Sequence, residues 1–333
     1  MEQSAAANSS GIGGYNSRTR VLHVNKIALV PETLVREARM EGKMWALRPI
    51  PPGRGAAMTV LRSRLQDYVQ WRKVAPTADI VHVHYATNGY YGWGNKQFVL
   101  HVHGSDIRKD WQSPVLRPMI THSLATADAV ICATADLLEW VQNIRSDALW
   151  VPNPVPEEFL RPHLKQPREK RIVFSSRWDS TKGVELLVPL ARELIARGYE
   201  VVGLDWGADK DQAAEIGVRL VPRMDPTRFS SFLASAQLVV GQLQYPVLSM
   251  TDYQTMALNR PLVGAANSED APMIVVHTGE FSGLRRDPAV IADAIDEQLA
   301  QESETTAREW VLERHSPRVC VAQIEQIYSQ LLG

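Results

Sequence analysis

Short apolar runs alternate with amphipathic stretches along the chain from Arg20 to Leu332, and that alternation restarts once after a break. In the first half, strand-like runs fall at 20–24, 44–47, 79–85, 97–103, 129–133 and 148–151. Helical spacing falls at 32–41, opened by Pro31 and stopped by Gly42, and at 56–74, 123–127 and 136–141. Residues 156–170 carry Pro156, Pro162, Pro167 and a run of charge, with no periodicity, and read as a boundary. Strand-like runs then resume at 171–175, 200–204, 218–221, 238–242, 261–264 and 273–277. The second set of helices is read at 184–196, with Pro189 inside, and at 227–234, 251–258, 289–301 and 319–332. Alternation of this kind predicts an α/β chain with two parallel sheets, each flanked by helices. In such open sheets, ligands bind at the carboxyl ends of strands.

A length of 333 residues suits two domains. A formal net charge of −1 excludes a global basic field for nucleic acid. Cys132 and Cys320 each sit in an apolar pattern and read as buried thiols of a reducing compartment. No apolar run is long enough for a membrane span. Residues 1–18 are rich in Ser, Ala, Gly and Asn, without the apolar core of a signal peptide, and are expected to be a disordered leader. A cytoplasmic location is expected. Basic residues on the first two helices, such as Arg36 and Arg62, build no amphipathic basic face, so peripheral membrane contact is left open.

Chemistry concentrates at strand ends. After the run at 172–174 comes Ser175-Ser176-Arg177-Trp178-Asp179-Ser180-Thr181-Lys182-Gly183, and then a helix. A strand–loop–helix junction presents backbone N–H groups to an anion, and Arg177 and Lys182 add fixed positive charge there. The plain alternative is two solvated surface cations. In the first half, His101 and His103 share a strand face, Gly104 permits a sharp turn, and His82 and His84 lie on an earlier strand. Paired histidines invite a metal reading. Against it, Asp106 is the single nearby carboxylate and no Cys joins them, so hydrogen-bonded interior histidines are the plainer account. Val151-Pro152-Asn153-Pro154-Val155 is a rigid strand exit. Tyr85, Tyr90, Tyr91 and Trp93 surround three glycines and fit either sugar stacking or a satellite core.

Taken in order, His103-Gly104-Ser105-Asp106, the Asn-Pro exit, the Arg177 to Lys182 segment, and Gln254-Thr255-Met256-Ala257 through Pro261-Leu262-Val263 resemble family-4 retaining glycosyltransferases of the GT-B fold. The resemblance covers nearly the whole chain. It implies two Rossmann-like domains facing across a cleft: an acceptor domain at 19–155, to which the helix 319–332 returns, and a nucleotide-sugar donor domain at 156–318. It implies transfer of a sugar from a nucleotide-diphosphate sugar to a carbohydrate or lipid-linked acceptor hydroxyl, in glycan, glycolipid or glycoconjugate synthesis, with no metal or other cofactor. Arg177 and Lys182 match the donor diphosphate pair, and His103 the histidine that faces the transferred sugar. Asn25 belongs to the loop near donor and acceptor. Gln254 stands where the family has the second glutamate of its Glu-x7-Glu motif. Ser249 and Thr251 at a helix start are further donor-binding candidates, with Met224 beside the base and ribose. Asp106, Tyr90 and Tyr91 are the acceptor-side candidates.

The chain also departs from the family. Pro246 takes the place of the first glutamate, Val247-Leu248-Ser249-Met250 replaces a glycine-rich turn, and Lys26-Ile27-Ala28 replaces a glycine pair. These features mark a divergent subfamily. They keep two alternatives in view: a catalytically impaired partner subunit, or a nucleotide-sugar epimerase on the same plan.

Overall fold

The computed structural model describes residues 14–53, 55–161, 166–266, 271–276, 284–301 and 306–333. The chain divides into two compact units, one running to Pro152 and including Cys320–Gly333, the other Asn153–Val319. Of the expected leader, residues 1–13 lie outside the described residues. Tyr15 is packed: its hydroxyl donates to Glu325 at 2.6 Å and accepts from the Trp45 indole at 3.1 Å.

In the first unit the strands are β1 (Val21–Val24), β2 (Trp45–Arg48), β3 (Ile80–His84), β4 (Phe98–Val102), β5 (Ala129–Cys132) and β6 (Leu149–Trp150). They form one parallel sheet in the order β2-β1-β3-β4-β5-β6. In the second unit, β7 (Arg171–Phe174), β8 (Glu200–Leu204), β9 (Arg219–Val221), β10 (Leu238–Val240), β11 (Leu262–Gly264) and β12 (Ile274–Val275) form another, in the order β12-β11-β10-β7-β8-β9. Both orders reverse direction once, which is the doubly wound plan of Rossmann-like domains. The alternation read from sequence therefore produces the expected architecture twice.

The two faces of the first sheet differ. Leu22, Val24, Val81, Val83, Leu100 and Val102 alternate onto one face and join a single apolar cluster with Ile107, Ile120 and Leu124. The other face carries His23, His82, His84 and His101, all buried. In the second unit the helix Val184–Ala196 buries Leu187, Leu190 and Leu194 against β7 residues, and it runs unbroken through Pro189. Cys132 and Cys320 are buried and unbridged. Among the described residues, no helix is long and apolar enough to cross a membrane.

Several boundaries moved. The helix expected at 123–127 is Arg117–Thr126, opened by Pro118 in its first turn. The short helix Lys210–Glu215 and the helix Ala307–His315 are additional, and neither has a clear apolar stripe. The strand expected to reach residue 242 stops at Val240, because Gly241 and Gln242 turn into a loop. His277, in the last expected strand, lies outside the described residues.

Candidate functional site

In the second unit the loop after β7 and the loop after β10 meet. Arg177 lies a third exposed; its Nη2 donates to Thr181 Oγ1 at 3.0 Å and its Nε sits 3.2 Å from Asp179. Its guanidinium is also 5.2 Å from the ring centre of Trp206, and Arg223 covers the same ring at 4.4 Å. The neighbouring loops are stitched at Trp178, whose N–H donates to the Trp206 carbonyl at 2.9 Å. A single 3₁₀ turn, Ser180–Lys182, leads to Gly183, which takes φ +86° and starts the long helix. The Lys182 carbonyl accepts from Leu243 N–H at 3.0 Å, which ties the two loops together.

The loop after β10 lacks the expected glycines and is held by a buried side chain instead. The Gln242 amide nitrogen donates to the carbonyls of Tyr245 at 2.6 Å and Val247 at 2.7 Å. Its amide oxygen accepts from the N–H groups of Gln244 at 3.0 Å and Tyr245 at 2.9 Å. The helix Met250–Ala257 follows, with Ser249 as N-cap and Ser249 N–H donating to Asp252 Oδ2 at 2.6 Å. Burial pushes the Asp252 carboxyl up to about 6, against the opposing pull of Ser249 and the Lys182 charge. A Cβ on Gly241 would lie 2.1 Å from Asp252 Oδ1, so only glycine fits beneath that carboxyl.

Lys182, Ser249 and Asp252 are thus brought together, with Thr251 half-buried in the first helical turn and Gln254 buried further along. Arg177 reaches this region through its loop but leans toward Trp206. Met224 is half-buried just after β9, the edge strand two places from β7.

In the first unit His103 follows β4, and Gly104 beside it takes φ +114°. Asp106 is fully buried and accepts backbone N–H groups from Ala86 at 2.8 Å, Gly104 at 2.8 Å, and His103 and Ile107 at 3.1 Å. Expected on the acceptor side, Asp106 has its oxygens taken up in holding the turn. Burial raises its pKa while those four donors lower it. Tyr91 is likewise a core residue, fully buried, with its hydroxyl donating to Asp67 at 2.7 Å and its ring edge-on to Trp71. Tyr90 is half-buried against Tyr68 and Tyr91 and keeps a partly open surface. Asn25 takes φ +80° after β1 and donates from Nδ2 to the His84 carbonyl at 3.1 Å.

The histidine face is denser than the sequence suggested. Parallel register sets His23 beside His82 and His84 beside His101. Ring pairs stack at 4.5 Å for His23–His82, His82–His84 and His101–His103. Tyr328, from the helix Pro317–Leu332, covers the stack, its hydroxyl 2.5 Å from His82 Nδ1. Burial holds all five imidazoles below their ordinary pKa, His23 and His103 at about 3. His84, His101 and His103 each offer a ring nitrogen within 4.8 Å of the others, as do His23, His82 and His84. In the first of these groups the His84 ring tilts 33° from His101 and 39° from His103.

Sequence reading missed Gln242, Trp206 and the role of His23 with Tyr328. Gln242 carried one signal, a polar residue at the end of an apolar run. The His23–Tyr328 contact joins residues 305 positions apart, which spacing cannot reveal.

Comparisons with known proteins fit this geometry. The Glycosyltransferase Family 4 model matches residues 28–159. A search of curated proteins finds no match. Among solved structures, sucrose-phosphate synthase from Thermosynechococcus elongatus superposes with a TM-score of 0.71 at 16% identity, covering 94% of this chain and 99% of that one. Anabaena HepE in complex with UDP and glucose superposes with a TM-score of 0.67 at 13% identity, over 94% and 100%. A putative UDP-N-acetylglucosamine 2-epimerase from Listeria monocytogenes shares the fold with a TM-score of 0.59 at 13% identity, over 92% and 95%. At such identities the likeness speaks to fold, which transferases and an epimerase share. Residues 28–159 thus match the family-4 glycosyltransferase model, and the doubly wound sheet repeated in the two units is the GT-B fold of the solved structures.

Proposed function

We propose that the chain is a retaining, metal-independent glycosyltransferase that moves a sugar from a nucleotide-diphosphate donor to an acceptor hydroxyl in glycan, glycolipid or glycoconjugate synthesis. One observation carries the reading. The loop bearing Arg177 and Lys182 is tied to the loop and helix start at Leu243 to Met250, so two cations and a helix N-terminus occupy one end of the second sheet. That is where a diphosphate leaving group would gain most from fixed positive charge as the sugar–phosphate bond breaks.

In this reading Arg177 and Lys182 bind the diphosphate, while Ser249 and Thr251 offer N–H and hydroxyl groups. Gln254 holds ribose hydroxyls in place of a glutamate, and Met224 lies beside the base. His103 meets the transferred sugar, with Asn25 nearby in the loop after β1, and Tyr90 is the remaining acceptor-side candidate. Attack comes from the face the leaving group departs, and the leaving phosphate takes the hydroxyl proton, so no enzyme nucleophile is needed. HepE was solved with UDP and glucose, which makes a uridine donor the first to try.

The test is turnover with a panel of nucleotide sugars. Arg177→Ala and Lys182→Ala should each cost roughly 10²-fold or more in turnover, while a chelator leaves it unchanged. Near-normal turnover in both variants would refute the assignment. A thermal-shift panel of nucleotide diphosphates gives a second readout, since saturation at 100 times Kd adds about 2.7 kcal/mol. The impaired-subunit reading, which Pro246 keeps in view, expects no shift with any of them.

A further inference from the structure

The five histidines and Tyr328 form one unbranched chain of hydrogen bonds. From one end it runs His101 Nδ1 to His82 Nε2 at 3.2 Å, His82 Nδ1 to the Tyr328 hydroxyl at 2.5 Å, and that hydroxyl to His23 Nε2 at 3.4 Å. It continues from His23 Nδ1 to His84 Nε2 at 2.9 Å, and from His84 Nδ1 to His103 Nε2 at 3.0 Å. At the first end, His101 Nε2 is buried with no partner. At the other end is His103 Nδ1, on the one residue of the five that is not fully buried.

Burial keeps each ring neutral, so each has one N–H and one lone pair, and the phenol has one O–H. A ring that donates on one side must accept on the other. With the phenol O–H donated within the chain rather than its oxygen accepting from both sides, all the links run in the same direction. Two patterns satisfy the chain. In one, protons point toward His101, and His103 is protonated on Nε2 with a bare Nδ1. In the other, they point toward His103, which then carries its proton on Nδ1.

The two links at Tyr328 break the tie. A phenol is a stronger proton donor than a neutral imidazole, and stronger hydrogen bonds are shorter. The 2.5 Å link is the one in which Tyr328 donates, to His82, and the 3.4 Å link is the one in which it accepts, from His23. We propose that Tyr328 acts as a positioning residue that sets His103 as the Nε2–H tautomer and leaves its Nδ1 lone pair to accept a hydroxyl from the bound ligand. The ligand group selected is then a neutral O–H donor such as a sugar hydroxyl. A carboxylate or phosphate oxygen at that point would face a lone pair. The tautomer follows from the chain alone; its meaning for a sugar rests on the function proposed above.

The experiment is a long-range ¹⁵N–¹H correlation spectrum of the full chain with labelled histidine. His103 should show a protonated Nε2 and an unprotonated Nδ1. His315 is the internal opposite, since its Nδ1 lies 2.9 Å from the Asn153 carbonyl and must donate to it. In Tyr328→Phe both links at the hydroxyl are lost, and the two His103 nitrogens should move toward averaged shifts while His315 keeps its pattern. A protonated Nδ1 on wild-type His103, or a His103 pattern unmoved by Tyr328→Phe, overturns the proposal. Should the variant fail to fold, as a collapsed spectrum of the first unit's buried His82 and His101 would reveal, the wild-type tautomer decides alone. With an active donor in hand, Tyr328→Phe should raise its KM several-fold with a smaller change in kcat. Absence of turnover in the wild type counts against the proposed function and leaves the tautomer result standing.

Discussion

Leu243 closes over Gly183. A Cβ at Gly183 would sit 3.1 Å from the Leu243 carbonyl carbon and 3.2 Å from Gln244 N, and the residue holds φ +86°. The contact sets the spacing between the cation-bearing loop and the loop that replaces the family's glycine-rich turn. Gly183→Ala should therefore cost about 1–2 kcal/mol from the backbone conformation alone, with more from displacing Leu243. Urea unfolding measures the first effect. Calorimetry with a nucleotide diphosphate should show a further loss of affinity, and unchanged stability would mean the approach is not as tight as drawn.

Asp252 predicts a pH effect of defined sign. Its folded pKa, about 6, lies above the unfolded value. Between those two values the folded chain holds a proton that the unfolded chain lacks. The stability contributed by this group therefore rises as pH falls from 7 through 6, and levels off below the unfolded pKa. Asp252→Asn removes the titration. Plotted against pH, the stability of the wild type minus that of the variant should climb between pH 7 and 5. A flat difference would place the carboxyl in a wetter setting.

Asp106 should behave as a structural residue. Its four backbone donors are left without an acceptor in Asp106→Ala, and each orphaned group costs ~1–3 kcal/mol. Loss of several kcal/mol is expected, measurable as a large drop in Tm. Asp106→Asn, which keeps one acceptor oxygen, should lose less. A stable Ala variant with a raised acceptor KM would return Asp106 to substrate binding.

Ala28 and Leu29 carry the cost of the missing glycine pair. They sit at φ +51° and +64°, where a Cβ is crowded. Left-handed backbone costs roughly 1–2 kcal/mol for a residue with a Cβ, and glycine returns about 0.4–1 kcal/mol of that in unfolded-chain entropy. Ala28→Gly should thus stabilise the chain by up to about 1 kcal/mol, seen as a Tm rise of a few degrees. A fall would mean that the rigid loop contributes to packing.

The fold could be read because strand and helix periods are local, and both halves keep them. The nearness of Arg177 to Lys182 was also readable, since a strand–loop–helix junction puts both cations in one short segment. The surroundings of other residues were not readable. Asp106 and Tyr91 looked like cleft residues because polar and aromatic groups on loops often face ligands, yet the backbone folds around the first and the core takes the second. Gln242 could not be distinguished from any polar strand end until its loop was seen to wrap it. The helix Ala307–His315 has no sharp apolar stripe for periodicity to find.

The histidine layer also ties folding to acidity. Each of its five rings refuses a proton that the same ring accepts near pH 6.5 once unfolded. Unfolding of the first unit at mildly acidic pH is then coupled to the uptake of up to five protons. Since one proton changes stability by ~1.4 kcal/mol per pH unit, the limiting slope is about 7 kcal/mol per pH unit. A sheet face that at neutral pH is an ordered ladder of neutral rings becomes, below pH 6, a proton-driven liability.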